Sequence, residues 1–547
     1  MYYYLINYLL TKDEHGGTGN RAVFIAFSGA LYYDYSIGSE SDYKLSGVFE
    51  MMLYESTRGR GDVIPSAEAI KKGIAADGGL YVPRDFVRLS MEDIEALVPM
   101  TYQERAKYIL KGYLDDFTAD EISDCVDKAY NTRKFSSEDI APVVMMNSSL
   151  NILELWHGPT CAFKDMALQI LPHFLVKAMR KTGETDEIVI LVATSGDTGK
   201  AALEGFADVE GTRIIVFYPD GGVSEIQKRQ MVTQEGRNVL VFGVEGNFDD
   251  TQTGVKQIFT DEALIGRMKE KGLKFSSANS INWGRLVPQI VYYFSAYADM
   301  VKQGRISFGE KINFVVPTGN FGNILAGYYA MRMGLPVNKM VCASNDNKVL
   351  TDFIHTGVYD RRRDFVRTIS PSMDILISSN LERLLYELSG RDPERVNDWM
   401  ARLRNDGYYY IGSAAHRVLN EHFWGGWSSQ EETLKTIECV YNEYGYVCDT
   451  HTAVGVDVYD KYVITTGDLT PTVMVSTASP FKFNASVCKA LSMNDSDDEF
   501  ELLRKLSEKT GLPVPEGLRN LEDKPVLHGR VCRKEEMKNV VMEALGI

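Results

Sequence analysis

The sequence has no HExxH and no other metal-ligand spacing among its eight histidines. That excludes the familiar zinc-hydrolase arrangements and leaves no metal site to assign. It also has no CxxC. Its seven cysteines stand far apart, at 125, 161, 342, 439, 448, 488 and 532. An odd, scattered set argues against a disulfide framework and for reduced, buried thiols in a cytoplasmic chain. No apolar run reaches the length that spans a bilayer. The opening MYYYLINYLL is apolar, but no basic segment precedes it and no small-residue cleavage site follows closely, so it does not read as a secretory signal. Positive charge is in deficit too. Lys and Arg number 59 against 75 Asp and Glu, a net charge of −16, the wrong sign for a nucleic-acid surface.

What is present is globular. Hydrophobic residues make up 44% and charged residues 24% of 547, enough for roughly two to four domains or subdomains with sizeable cores. Residues 1–50 differ in texture: they are tyrosine-rich, weakly periodic and broken by HGGTGN. Ordinary enzyme texture begins at MMLYESTRGR, so Met51 or Met52 is the expected natural start and 1–50 an atypical extension. Residues 51–145 read as a small, mainly helical domain. Ser90-x-x-Asp93, Thr101-x-x-Glu104 and Thr118-x-x-Glu121 each precede an apolar-periodic run, the spacing of a reciprocal helix cap. DGGLYVP (77–83) reads as a turn and a short strand.

From about 146 to 547, apolar strands alternate with helices. DEIVILVATSGDTGKAALEGF and KINFVVPTGNFGNILAGYYAMRMG each read as strand, Gly-rich turn and helix. TRIIVFYPDG and TPTVMVSTASP add further strands. Such alternation predicts an α/β fold with buried, mostly parallel sheets, whose ligands gather at the carboxyl ends of the strands.

Three of these junctions carry candidate chemistry. Gly319-Asn320-Phe321-Gly322-Asn323 follows a strand and opens a helix, so its free N–H groups and the helix dipole can cradle a phosphate without lysine or arginine. Such a GxxG also serves as a plain turn. TSGDTGK (194–200) fails as a P-loop: Thr194 replaces the first glycine and Ala201 the magnesium-binding hydroxyl. Ser195, Asp197 and Thr198 there offer groups for a small anion instead. HGPTCAFKD (157–165) ends in Lys164 at the entrance of an apolar helical pattern, Ala167, Ile170, Leu171, Phe174 and Ala178, which Pro172 interrupts and is expected to kink. A lone lysine there is ordinarily a solvated charge; a desolvated one near other cations becomes a nucleophile. His157 and Asp165 read either as orienting groups for that turn or as helix caps. A lysine, an anion cradle and the hydroxyls of STASP (476–480) together suit pyridoxal 5'-phosphate, which presents an aldehyde, a phosphate and a ring nitrogen.

In order along the chain, STRG (56–59), ADGGLYVP, HGPTCAFKD, ATSGDTGKAA, SANSINWGRL, PTGNFGN, HTAVG and STASPFKF resemble the segments of the threonine synthase family, from about residue 52 onward. Thr450 departs from the proline common before the histidine, and residues 1–50 have no counterpart. The resemblance implies two subdomains of the tryptophan-synthase-β-like fold (pyridoxal-phosphate fold type II) behind the N-terminal domain. It implies that Lys164 forms the Schiff base, that Gly319, Asn320, Phe321, Gly322 and Asn323 hold the cofactor phosphate, and that Thr477 faces the ring nitrogen. Ser195, Asp197 and Thr198 would meet the amino-acid end of the substrate, and Asn282, Arg285 and Lys482 its phosphate. The implied reaction takes O-phospho-L-homoserine and water to L-threonine and phosphate, the last step of threonine biosynthesis. The implied partners are a small-molecule substrate for a monomer or homodimer, with no nucleic acid and no membrane. A related phospho-lyase or serine/threonine dehydratase would share Lys164 and the glycine loop but release a 2-oxo acid and ammonia.

Overall fold

The computed structural model describes residues 51–493 and 496–547. The extension 1–50 lies outside the described residues.

Two largely parallel sheets organise the chain after residue 142. The first runs Val531–Arg533, Val239–Glu245, Thr212–Pro219, Glu187–Ala193, Leu273–Ser276, with every neighbour parallel. The second runs Phe423–Trp427, Val337–Ser344, Ile312–Pro317, Thr472–Ser476, Leu150–Glu154, Val143–Met145. It is parallel except for its last strand, which is antiparallel to its neighbour. The central strands are buried along their length: all of Ile312–Pro317, all of Thr472–Ser476 and Ile188–Val192. Continuous apolar runs such as INFVVP are what strands covered by helices on both faces require.

The N-terminal region carries more strand than its sequence suggests. Ile64–Pro65, Leu53–Ser56 and Tyr81–Pro83 form a small antiparallel sheet beside helices Ser66–Lys72, Met91–Ala96, Tyr102–Tyr113 and Ala119–Ala129. All three expected caps form reciprocally, at Ser90/Asp93, Thr101/Glu104 and Thr118/Glu121. Pro172 does not kink a continuous helix. The apolar run divides into a short helix, Asp165–Leu168, and a second, Leu171–Lys181, with Pro172 in the first turn of the latter. A proline there loses no helical hydrogen bond. Helix Trp283–Lys302 runs through the core with most of its residues buried. Among the described residues no helix is long and apolar enough to cross a membrane.

Candidate active site

Lys164 closes the loop that leaves strand Leu150–Glu154. The loop is folded by Asp165, whose carboxylate accepts from the Thr160 N–H and hydroxyl, both at 2.8 Å. Gly158 lies so close to this carboxyl that a Cβ there would stand 2.5 Å from Oδ2. Burial raises the Asp165 carboxyl to about 6 despite those bonds. The same loop is stitched to the STASP segment. Phe163 N–H donates to Thr477 O at 2.8 Å, Ser479 N–H to Cys161 O at 3.0 Å, and Ala162 bridges Ala478. Three hundred residues of intervening chain are thereby closed, and Lys164 and Thr477 share one site. The Thr477 hydroxyl has no protein partner among the described residues, although the residue is 5% exposed.

The Lys164 amine reaches two groups: the Ser372 hydroxyl at 3.2 Å and Asp197 Oδ2 at 3.4 Å. Burial lowers its basicity. Asp197 opposes that effect, while the positive charges of Lys482 and Arg285 add to it. Asp197 starts helix Asp197–Phe206. Its Oδ1 takes Lys482 Nζ at 3.0 Å and Gln227 Nε2 at 2.9 Å, and its Oδ2 takes the Ser372 hydroxyl at 3.0 Å. Burial alone would raise this carboxyl; Lys482 and Lys164, with the hydrogen bonds, outweigh burial and hold it far below the usual range.

Ser372 is a group that sequence reading did not single out. It belongs to a strap, residues 366–380, with none of the periodicity that marks an element. Asn345 and Asn347, just after strand Val337–Ser344, tie the strap down through Ser370 O, Val366 O and Asp374. The buried His451 receives the Ser372 N–H on Nε2 at 3.2 Å and is oriented by Asp449 Oδ2 at 2.7 Å from Nδ1. Only the HTAVG motif hinted at this histidine.

The glycine loop packs against the same strap, whose Ser372 also meets Lys164. A Cβ on Gly319 would stand 2.7 Å from Ser372 O. Phe321 adopts left-handed φ of 66° as it caps helix Gly322–Met333, so the loop turns sharply into a helix start. The Asn323 carboxamide is half satisfied. Its oxygen accepts from Tyr292 and Tyr293 hydroxyls at 2.6 and 2.7 Å, which fixes the Nδ2 end, and that buried Nδ2 has no partner. An orphaned N–H beside a helix N-terminus suits an anion. The loop therefore fits a phosphate, Lys164 an aldehyde, and Thr477 a ring nitrogen, the three demands of pyridoxal phosphate.

The remaining expected residues separate. Ser195 is exposed and Thr198 half-buried, and neither hydroxyl has a partner among the described residues. Arg285 is buried; one NH group donates to Ala278 O at 2.8 Å, its Nε has no partner, and burial lowers it to about 10. Asn282 has a different first task from the phosphate contact expected of it. Its oxygen caps helix Trp283–Lys302 through Gly284 N–H at 2.8 Å, and its Nδ2 donates to Ile70 O at 2.9 Å. Lys482 is likewise engaged within the protein: fully buried, it donates to Thr160 O at 2.8 Å and pairs with Asp197. Among the described residues no cluster of His, Cys, Asp and Glu could hold a metal ion.

Three family matches cover this chain in order: "Threonine synthase N terminus" over 53–130, "Pyridoxal-phosphate dependent enzyme" over 146–419, and "Threonine synthase, C-terminal" over 452–540. Threonine synthase-like 1 of Homo sapiens is 42% identical over 442 residues, 79% of this chain and 58% of that protein. The chain thus spans less than two-thirds of the length of such relatives. Threonine synthase of Pseudomonas aeruginosa is 38% identical over 441 residues, 80% of this chain and 90% of that enzyme. The crystal structure of PLP-bound threonine synthase from Brucella melitensis superposes with a TM-score of 0.81 at 36% identity, covering 90% of this chain and 99% of that one. The expected fold class is therefore observed, and the chain belongs to the threonine synthase family.

Proposed function

We propose that the protein is a pyridoxal-phosphate-dependent threonine synthase that converts O-phospho-L-homoserine and water to L-threonine and inorganic phosphate. The observation that carries this reading is the Lys164 amine, buried, lowered in basicity, and tied through its loop to Thr477. Gly319, Asn320, Phe321, Gly322 and Asn323 would hold the cofactor phosphate and Thr477 its ring nitrogen. When bound, the cofactor supplies the electron sink that makes the substrate Cα–H acidic. Lys164 would take the Cα proton and move protons at Cβ, a general acid–base role for which a lowered basicity is suited. Asp197, kept ionised by Lys482, holds the Lys164 amine in place between proton transfers. Ser195 and Thr198 present free hydroxyls and helix-start N–H groups to the substrate carboxylate. Arg285, with its unpaired Nε, stabilises the departing phosphate. Asn282 and Lys482 support it from behind, by capping its helix and by fixing Asp197.

The site would act on a small-molecule substrate in a monomer or homodimer, in a reducing, cytoplasmic setting. The seven cysteines are free and all but Cys439 buried, which supports that setting. Incubation with O-phosphohomoserine tests the reading. Threonine and phosphate should appear in equal amounts. Phosphate without threonine, accompanied by a 2-oxo acid and ammonia, would support a phospho-lyase instead.

A further inference from the structure

Arg383 is fully buried, yet among the described residues no carboxylate lies within ion-pair distance of it. Its three donor groups go to three separate parts of the fold. Nε donates to Tyr81 O at 3.0 Å, in the N-terminal sheet. One terminal NH2 donates to Ile281 O at 2.6 Å, immediately before the Asn282 cap that starts the Arg285 helix. The other donates to Asn380 Oδ1. Asn380, itself 0% exposed, passes the connection on: its N–H and its Nδ2 donate to Asn320 O at 3.0 and 3.2 Å. Asn320 is in the glycine loop. Next to it, the Ser378 hydroxyl donates to Gly319 O at 2.7 Å.

The preceding residue in sequence repeats the attachment. Glu382 accepts from the Thr57 hydroxyl at 2.7 Å and from Arg58 at 3.0 and 2.9 Å. The STRG segment and the Tyr81 strand of the N-terminal region are therefore riveted to the start of helix Leu381–Leu388. That helix start holds the glycine loop by its outward-facing carbonyls. A peptide whose C=O is tied back has its N–H turned toward the other side, which is the orientation an anion cradle needs. A guanidinium fork is suited to this because its planar donors fix three acceptors at set angles, as an ammonium cannot.

We propose that Arg383 is a positioning residue: acting through Asn380, it holds loop 319–323 in its anion-binding shape and makes the N-terminal region part of the phosphate site. This rests on the reading of that loop as the cradle of the cofactor phosphate. The burial of an uncompensated cation also has a physical rationale here, since a positive charge beside the loop favours a bound dianion.

The test compares pyridoxal 5'-phosphate with pyridoxal, which differs only in lacking the phosphate. Both are titrated by absorbance into the full chain stripped of cofactor, in wild type, Asn380→Ala, Arg383→Lys and Arg383→Met. Arg383→Met risks misfolding; Asn380→Ala removes a single relay and keeps the guanidinium, so the proposal stays testable. Wild type should prefer the phosphorylated form. Each variant should lose about tenfold or more of that preference, the scale of one charge-assisted hydrogen bond, while its affinity for pyridoxal stays within about twofold. Equal loss for both ligands would mean that Arg383 only supports the fold, and would overturn the proposal, as would an unchanged preference. A wild type with no preference at all would overturn the phosphate-cradle reading itself, and the inference with it.

Discussion

Removing the charge of Asp197 should be costly out of proportion to the atoms changed. Asp197→Asn keeps the shape and one acceptor oxygen, so Gln227 Nε2 can still be received where it now stands at 2.9 Å. What is lost is the countercharge of two amines, Lys482 at 3.0 Å with a fully buried side chain and Lys164 at 3.4 Å with a side chain 12% exposed. Breaking a buried pair by deleting one partner costs about 3–5 kcal/mol, because the other charge stays unpaired and desolvated. Lys482 suffers more, retaining only the Thr160 carbonyl. The loss should depend on pH in a definite sense. Without Asp197, burial holds the Lys164 amine further below its unfolded value. Its penalty is then full below the folded-state value and shrinks as pH rises toward the unfolded lysine value of about 10.4. Urea unfolding of the native and variant proteins at about pH 6 and about pH 9 measures both effects. Adding Lys482→Met to Asp197→Asn should recover part of the loss, with a coupling on the order of 2 kcal/mol. A single variant within about 1 kcal/mol of the native protein near neutral pH, the range of an exposed pair, would refute the reasoning.

Gly319→Ala would place a Cβ 2.7 Å from Ser372 O and 3.2 Å from Met373 Cα, so strap and loop must separate; cofactor affinity should fall by about tenfold or more, measured by absorbance titration. For Asp165, the folded carboxyl at about 6 stands above its ordinary value of 3.8. Its contribution to stability is therefore full below the unfolded value and lost as pH rises through about 6, a swing of about 3 kcal/mol. Asp165→Asn can accept from the Thr160 N–H and donate to its hydroxyl, so the variant should gain on the native protein as pH rises from about 4 to about 7 in paired denaturation curves.

Much of this site could be read from local pattern, and its limits follow from the same physics. Strands such as INFVVP, the helix caps at Ser90, Thr101 and Thr118, and the glycine loop are set by neighbours within a few residues. Their conformations followed from spacing alone. The approach of Lys164 to Thr477 depends on two hydrogen bonds that form a single antiparallel bridge between distant segments, and only the ordered set of motifs pointed to it. Lys482 and Asp197 lie almost three hundred residues apart, so nothing local could say that each would neutralise the other. Ser372 and Asn380 were hidden because strap 366–380 follows no helical or strand period; its shape comes from Asn345 and Asn347 in another segment, which hold it at Val366, Ser370 and Asp374. Pro172 was misjudged for a similar reason. The apolar period runs on through it, whereas the backbone ends one helix at Leu168 and starts another at Leu171.

The central claim is that Lys164 anchors the cofactor. Borohydride reduction of the purified yellow protein, followed by proteolysis and mass mapping, tests it most directly. The pyridoxyl phosphate group should be found on Lys164, and Lys164→Ala should carry none. A label on Lys482, Lys200 or any other lysine, or an undiminished label in Lys164→Ala, would contradict it.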